Sequence, residues 1–301
     1  MFDHFLVSVV VVPPVLLALV RLLADRLSPR VAAPVVAWSA VGAATASLIN
    51  LLVFALKAAA EQPVIAHWFG WSAQFVVDDT ARYPWVSWAG VALLAAAVVS
   101  MTVTWRRQRR LLDLAGAGTT PHGPLVVVAD TAAHAYAVPG KPGHVVVTTG
   151  MREALSPAQF VALLAHERAH LAARHHRLIR LTELAAAAHP ALWWVSRHVD
   201  YLVERAADEH AATEVGSRRT VAQAIGAAAL AAAVPAVPVG LHAASPGGVV
   251  PRRVASLLTP RPRVAAVIGL VPPALAVFSL AWTAEAAWDL GELITTALGR
   301  G

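Results

Sequence analysis

Residues 163–176 read Leu163-Leu164-Ala165-His166-Glu167-Arg168-Ala169-His170-Leu171-Ala172-Ala173-Arg174-His175-His176. Two histidines four apart on a helix project from one face, close enough for both to bind a single metal ion. Glu167 lies beside that face, so it can reach a metal-bound water without ligating the metal. The pattern supplies two neutral nitrogen donors and one adjacent base. Ser156-Pro157 reads as an N-cap and a first helical residue, and predicts a helix from there through His166 and His170 to about His176.

A catalytic zinc site also needs a third protein ligand and one open position. Glu204 and Asp208 fall on a further predicted helix, roughly Trp193–Thr213. Their spacing of four turns both carboxylates the same way. Glu204 is the expected third ligand, and Asp208 the expected acceptor for the second ring N–H of a ligand histidine. The expected cofactor is Zn²⁺, one per chain.

The rest of the chain reads as membrane protein. Of 301 residues, 57% are hydrophobic and 14% charged, against about 25% charged in a typical soluble domain. Mean hydropathy is +0.60. Cysteine is absent, which excludes disulfides, thiolate ligands and a cysteine nucleophile. The formal charge of +6 is carried almost wholly by arginine, with Lys57 and Lys141 the only lysines. In so apolar a chain it points to topology and a lipid bilayer rather than to nucleic acid.

Four segments are long and apolar enough to cross a bilayer, approximately Phe5–Leu23, Val31–Leu56, Trp85–Trp105 and Val264–Thr283. The first has its basic residues after the apolar run, so it is expected to be a retained anchor rather than a signal peptide. Arg26 and Arg30, then Arg106, Arg107, Arg109 and Arg110, then Arg252, Arg253, Arg261 and Arg263 mark the loops expected inside. The loop Lys57–Pro84 and the tail after Thr283 are expected outside. The domain reading is therefore three spans in 1–105, a cytoplasmic domain in 106–263, a fourth span in 264–283 and a short outer tail in 284–301. Val221–Leu241 has the length of a span, but it is alanine-rich and holds Pro235 and Pro238, so it is read as a buried helix of the inner domain. His67-Trp68-Phe69-Gly70-Trp71 suits either the membrane interface or an ordinary apolar loop.

The inner segment opens with strand-like runs at Leu125–Val128 and Val145–Thr149, and continues in helices that include Leu178–Ala188. From His134-Ala135-Tyr136-Ala137-Val138-Pro139-Gly140, through Val146-Val147-Thr148-Thr149-Gly150, to the histidine helix, residues 134–176 resemble two related peptidase groups. These are the BlaR/MecR-type antirepressor membrane metallopeptidases and the HtpX-like membrane proteases. Glu204-Arg205-Ala206-Ala207-Asp208 resembles the later element of those families that supplies the third zinc ligand. Arg253-Val254-Ala255-Ser256-Leu257-Leu258 resembles the arginine-containing element before their last span. The likeness covers roughly residues 120–260, and the four-span layout is closer to the antirepressor type. It departs from the pattern at His134, where the HtpX-like proteins have asparagine. It also has only Ala284 to Gly301 where beta-lactam receptors of the family carry a sensor domain.

The expected architecture is a polytopic α-helical membrane protein with an inserted cytoplasmic α+β zincin-like (gluzincin) domain. The resemblance implies a zinc metalloendopeptidase in a cell membrane, such as a bacterial inner membrane, with both termini outside. Its expected partner is a protein or peptide substrate, cleaved in signalling or membrane-protein quality control; no oligomeric state is implied. His166, His170 and Glu204 hold the zinc, and Glu167 takes a proton from water and delivers it to the leaving amine. Arg253 and Tyr136 are the candidates for oxyanion or substrate contact. The strand near Val145–Thr149 is expected to offer a sheet edge to an extended substrate. His175 and His176, five and six positions beyond His170, are read as surface or interface residues. Trp193-Trp194 is read as packing against the bilayer, with a substrate channel as the other option. The rival reading is a membrane signalling protein whose zinc domain binds a partner with little turnover. A transporter fits less well, because the spans carry almost no ionisable residues.

Overall fold

Among the described residues, four helices are long and apolar enough to cross a membrane, and they frame everything else. The structure is a computed structural model that describes residues 1–117, 123–233, 248–259 and 266–300. In chain order the helices are α1 (Phe2–Arg26) and α2 (Pro29–Ala60), the short α3 (Pro63–Phe69) and α4 (Ala73–Asp78), and α5 (Val86–Ala117). Next come β1 (Leu125–Val128), β2 (Ala135–Val138) and β3 (His144–Thr148). The helices α6 (Thr149–Ala154), α7 (Pro157–Ala172), α8 (His175–Ala188), α9 (Trp193–Val215), α10 (Arg218–Ala232), α11 (Val249–Leu258) and α12 (Val271–Leu298) complete the order.

The long helices pack through small residues, as apolar helices do when backbone approach replaces hydrophobic drive. Gly90 of α5 meets α2 so closely that an added Cβ would lie 2.6 Å from the Phe54 Cβ. Helices α2 and α12 run parallel: Gly42 faces Ala276, Val53 packs with Ala286 and Leu290, and Ala60 packs with Ala297. The last helix continues unbroken past Thr283 to Leu298, longer than the span expected from hydropathy. Arg261, Arg263 and Val264 lie outside the described residues, as does the proline-bearing end of the Val221–Leu241 segment; its described part is the 15-residue helix α10. At the far end of α2, Lys57 is fully buried and donates to Glu61 at 2.7 Å, the Val76 carbonyl at 3.0 Å and Thr80 at 2.8 Å, tying α4 to α2.

Helix α1 carries a π-helical stretch, Leu6–Val11, ahead of Pro13 and Pro14. The Val9 carbonyl needs a donor at position 13 or 14, and proline has none. His189 fills the gap, its Nε2 lying 2.9 Å from the Val9 oxygen. His189 sits at the tip of the α8–α9 hairpin, so this bond fixes the tip deep among the long helices. Ala185, Ala188, Leu192, Val195 and Val199 of the hairpin share one buried cluster with Val12, Leu16 and Val20 of α1 and Ala33, Val36 and Ala40 of α2. Trp193 and Trp194 lie on its exposed side.

The sheet order is β1-β3-β2, with β1 parallel and β2 antiparallel to β3. Strand β3 is therefore central and buried along its length. It has no edge to offer. The sequence expectation of a substrate edge near Val145–Thr149 is corrected: the edges belong to β1 and β2, and β2 is the one beside helix α7.

Candidate metal centre

Helix α7 begins where the sequence predicts. Ser156 and Gln159 form a reciprocal capping box, and Pro157 occupies the first turn. Its buried face carries Ala162, Ala165, Ala169 and His166, and Ala162 and Ala165 pack on Ala211 and Ala212 of α9. Alanine on both helices allows the close approach that brings Glu204 to the histidines.

The three expected ligands converge. His166 Nε2 and His170 Nε2 are 3.1 Å apart. Glu204 Oε2 lies 3.5 Å from His166 Nε2, and Glu204 Oε1 lies 3.5 Å from His170 Nε2. A tetrahedral zinc with bonds of about 2.0–2.1 Å separates its donors by about 3.3–3.4 Å, so this triangle suits the ion. Two imidazoles and one carboxylate are also the donor set of a catalytic rather than a closed structural site.

The outer contacts hold this triangle. His166 Nδ1 lies 3.0 Å from Asp208 Oδ1, a hydrogen-bond distance, although the ring N–H is not aimed along that line. Arg253 of α11 forks onto Asp208, Nε to Oδ2 at 2.9 Å and Nη2 to Oδ1 at 2.7 Å. Its Nη1 also lies 2.7 Å from Glu204 Oε2. Arg253 thus braces both carboxylates. Glu167 bonds to no ligand; it meets the backbone of Ala137 on β2, beside the metal triangle.

His175 departs from its sequence reading. In an unbroken helix it would face away from His170, but α7 ends at Ala172 and Arg174 adopts the left-handed conformation, φ 52°. The chain turns back, and His175 opens α8 buried, its Nδ1 3.1 Å from His170 Nδ1. With Nε2 of His170 turned to the metal triangle, its proton belongs on Nδ1 and His175 accepts it. The sequence signal was the Ala172-Ala173-Arg174 stretch, which carries no strong terminator.

The electrostatics follow from these contacts. Burial opposes the His166 cation, yet Asp208 and Glu204 outweigh it and lift its pKa to about 9. Burial, then the His166 charge, lowers His170 to about 4. Burial works against the Glu204 carboxylate, but His166 and Arg253 bring it down to about 2. Burial chiefly raises the Glu167 pKa. Near neutral pH the His166 ring of the metal-free cluster therefore carries a proton.

All of this opens on a cleft of about 540 Å³, whose lining includes His166, Glu167, His170, Glu204, Arg253 and Tyr136. Tyr136 is half exposed on β2. The arrangement juxtaposes a metal triangle, a buried carboxylate and a substrate-sized groove.

Residues 103–183 match the model of Peptidase family M48. The matched stretch takes in the three strands and the His166–His170 helix, which supports the M48 metallopeptidase family, a family of zinc enzymes. Glu204, Asp208 and Arg253 lie beyond the M48 match, and it is the fold that brings them to its histidines. No curated protein and no solved structure matches the chain.

Proposed function

We propose that the chain is a membrane-bound zinc metalloendopeptidase that cleaves a protein substrate at the cytoplasmic face, with the four-span layout of the antirepressor-type peptidases. The observation that carries this reading is the His166–His170–Glu204 triangle with Glu167 beside it, at the floor of one groove. Zinc held there would supply Lewis acidity for the scissile carbonyl and acidify the attacking water. Glu167 accepts that water's proton and returns it to the amine nitrogen as the C–N bond breaks. Its raised pKa suits the return step, since a proton shuttle works best when its affinity lies nearer the working pH.

Strand β2 supports the substrate reading. The His134 carbonyl accepts from the Thr148 N–H, and antiparallel ladders alternate inward and outward residues. Ala135 and Ala137 therefore turn their backbone groups to the cleft, with Glu167 meeting Ala137. An extended peptide can add to that edge as a further strand. The parallel α2 and α12, with the arginines that precede each apolar run in sequence, support both termini outside and the zinc domain, residues 106–263, inside. The α8–α9 hairpin would then enter the bilayer from the cytoplasmic side.

The test pairs metal analysis with activity. Zinc should bind at about one ion per chain and be lost in His166→Ala, His170→Ala and Glu204→Ala. Glu167→Gln should keep its zinc and lose proteolysis by about 10²–10⁴-fold. A Glu167→Gln protein that cleaves or signals as wild type, beside a His166→Ala protein that fails, would make the zinc structural and sink the enzyme reading.

A further inference from the structure

Beside the metal cleft lies a second pocket of about 470 Å³ whose charges are all positive. Lys141, Arg174, Arg177 and Arg180 line it with His176, and no carboxylate does. None of these four permanent cations forms an ion pair among the described residues. Arg180 Nε reaches only the neutral Gln108, at 3.4 Å. Like charges gathered in a concave, low-dielectric wall raise the local concentration of anions. Burial, followed by Arg177, Arg180 and Arg174, keeps the His176 pKa low, in keeping with a positive basin.

This pocket adjoins the cleft, since Pro139, Leu171 and His176 line both. Strand β2 is the bridge. Ala135, Tyr136 and Ala137 line the cleft, and Val138, Gly140 and Lys141 line the basic pocket. A peptide paired along that edge and continuing in extended form past its end at Val138 would pass from Ala137 to the level of Gly140 in about 10 Å, at roughly 3.3 Å per residue. Resting on the peptidase reading above, we infer that the pocket of Lys141, Arg174, Arg177 and Arg180 is a subsite selecting protein substrates with acidic side chains about three to four residues from the scissile bond. An anionic lipid headgroup would satisfy the same charges. The strand leading out of the cleft favours the peptide, and so does Leu112 in the pocket wall. Leu112 lies two turns, about 10 Å, beyond Trp105 at the end of the apolar run of α5.

The experiment uses the full chain, zinc-loaded, in phosphatidylcholine nanodiscs. The Glu167→Gln protein is titrated with labelled peptide mixtures, degenerate at six central positions and flanked on both sides by Glu-Glu or by Lys-Lys. The Glu-Glu mixture should bind about tenfold more tightly or better, with the advantage shrinking as salt rises. Arg177→Glu and Lys141→Glu should each abolish the preference while keeping zinc, which reports an intact fold. Equal binding of the two mixtures overturns the proposal, and so does a preference that both charge reversals leave untouched. In a parallel set of nanodiscs that mix phosphatidylcholine with phosphatidylglycerol, Arg177-dependent enrichment of phosphatidylglycerol around the protein, with no peptide preference, assigns the pocket to lipid and also overturns it. The wild-type protein separates the two readings. Cleavage of both mixtures with equal kcat/KM leaves the peptidase standing and removes the subsite. Preferential binding with no cleavage removes the peptidase and confirms an acidic-peptide site.

Discussion

Arg253 holds Asp208 in a two-pronged grip, with contacts of 2.9 and 2.7 Å, while Asp208 stands 3.0 Å from His166. One guanidinium on α11 thereby sets the carboxylate that faces a metal-triangle histidine on α7. Arg253→Lys keeps the charge but cannot reproduce the planar fork. Zinc affinity should fall by about 10–100-fold, the usual cost of losing a partner of a metal ligand, and Asp208→Asn should fall in the same range. Chelator competition measures both. An Arg253→Lys protein that binds zinc as tightly as wild type would show that the grip does not matter to the site.

His175 should behave as the counterpart of Asp208 for His170. His175→Ala removes the acceptor for the His170 Nδ1 proton, so zinc affinity should drop while His176→Ala leaves it unchanged. Equal losses in the two variants would mean that the effect is one of bulk charge or folding.

The His166 pKa of about 9 sets a pH dependence. Below that pH zinc must displace a proton, so apparent affinity should rise about tenfold per pH unit up to pH about 9 and then level off. Calorimetry at pH 7 in buffers of different ionisation enthalpy should report about one proton released per zinc. The same shift acts on the metal-free fold with the opposite sign. The folded pKa exceeds the ordinary 6.5, so the proton's stabilisation is complete below pH 6.5 and is lost as pH rises through 9. Proton release near zero at pH 7 would contradict the charge arrangement.

The absence of cysteine makes topology easy to probe. Single cysteines at Gln74 should react with an impermeant thiol reagent from outside, and those at Arg219 only after the membrane is opened. Cysteines at Leu184 and Trp194, on the α8–α9 hairpin, should resist in both cases. Labelling of Leu184→Cys from the cytoplasmic side would place the hairpin in water.

Asp25 at the C-terminal end of α1 reaches Arg252 at 3.3 Å and Arg205 at 3.4 Å. Helix α11 therefore ties a long apolar helix to the candidate metal centre through adjacent residues, Arg252 on one side and Arg253 on the other. Asp25→Asn should lower kcat several-fold with zinc content unchanged, because the cut tie loosens α11 without touching a ligand. Unchanged kcat would leave the contact as packing alone.

The sequence alone determined whatever depends on short spacing and composition. Four apolar runs, a histidine pair one helical turn apart, a carboxylate pair with the same spacing and a capped helix start are local patterns, and each forms a helix, although the third and fourth apolar helices run further than hydropathy implies. What pairs with what was decided by tertiary structure. Strand order is a long-range choice that β-propensity does not encode, so β3 became central and β2 took the edge facing Glu167. A single left-handed residue at Arg174 re-aimed His175 onto His170, because one backbone dihedral changes the face of everything after it. Pro13 and Pro14 orphaned the Val9 carbonyl, and only the fold could bring His189, far along the chain, to satisfy it. Arg253 was legible as a cation near the site. That it spends its charge on Asp208 and Glu204 follows from where α11 packs, which no spacing within the sequence records.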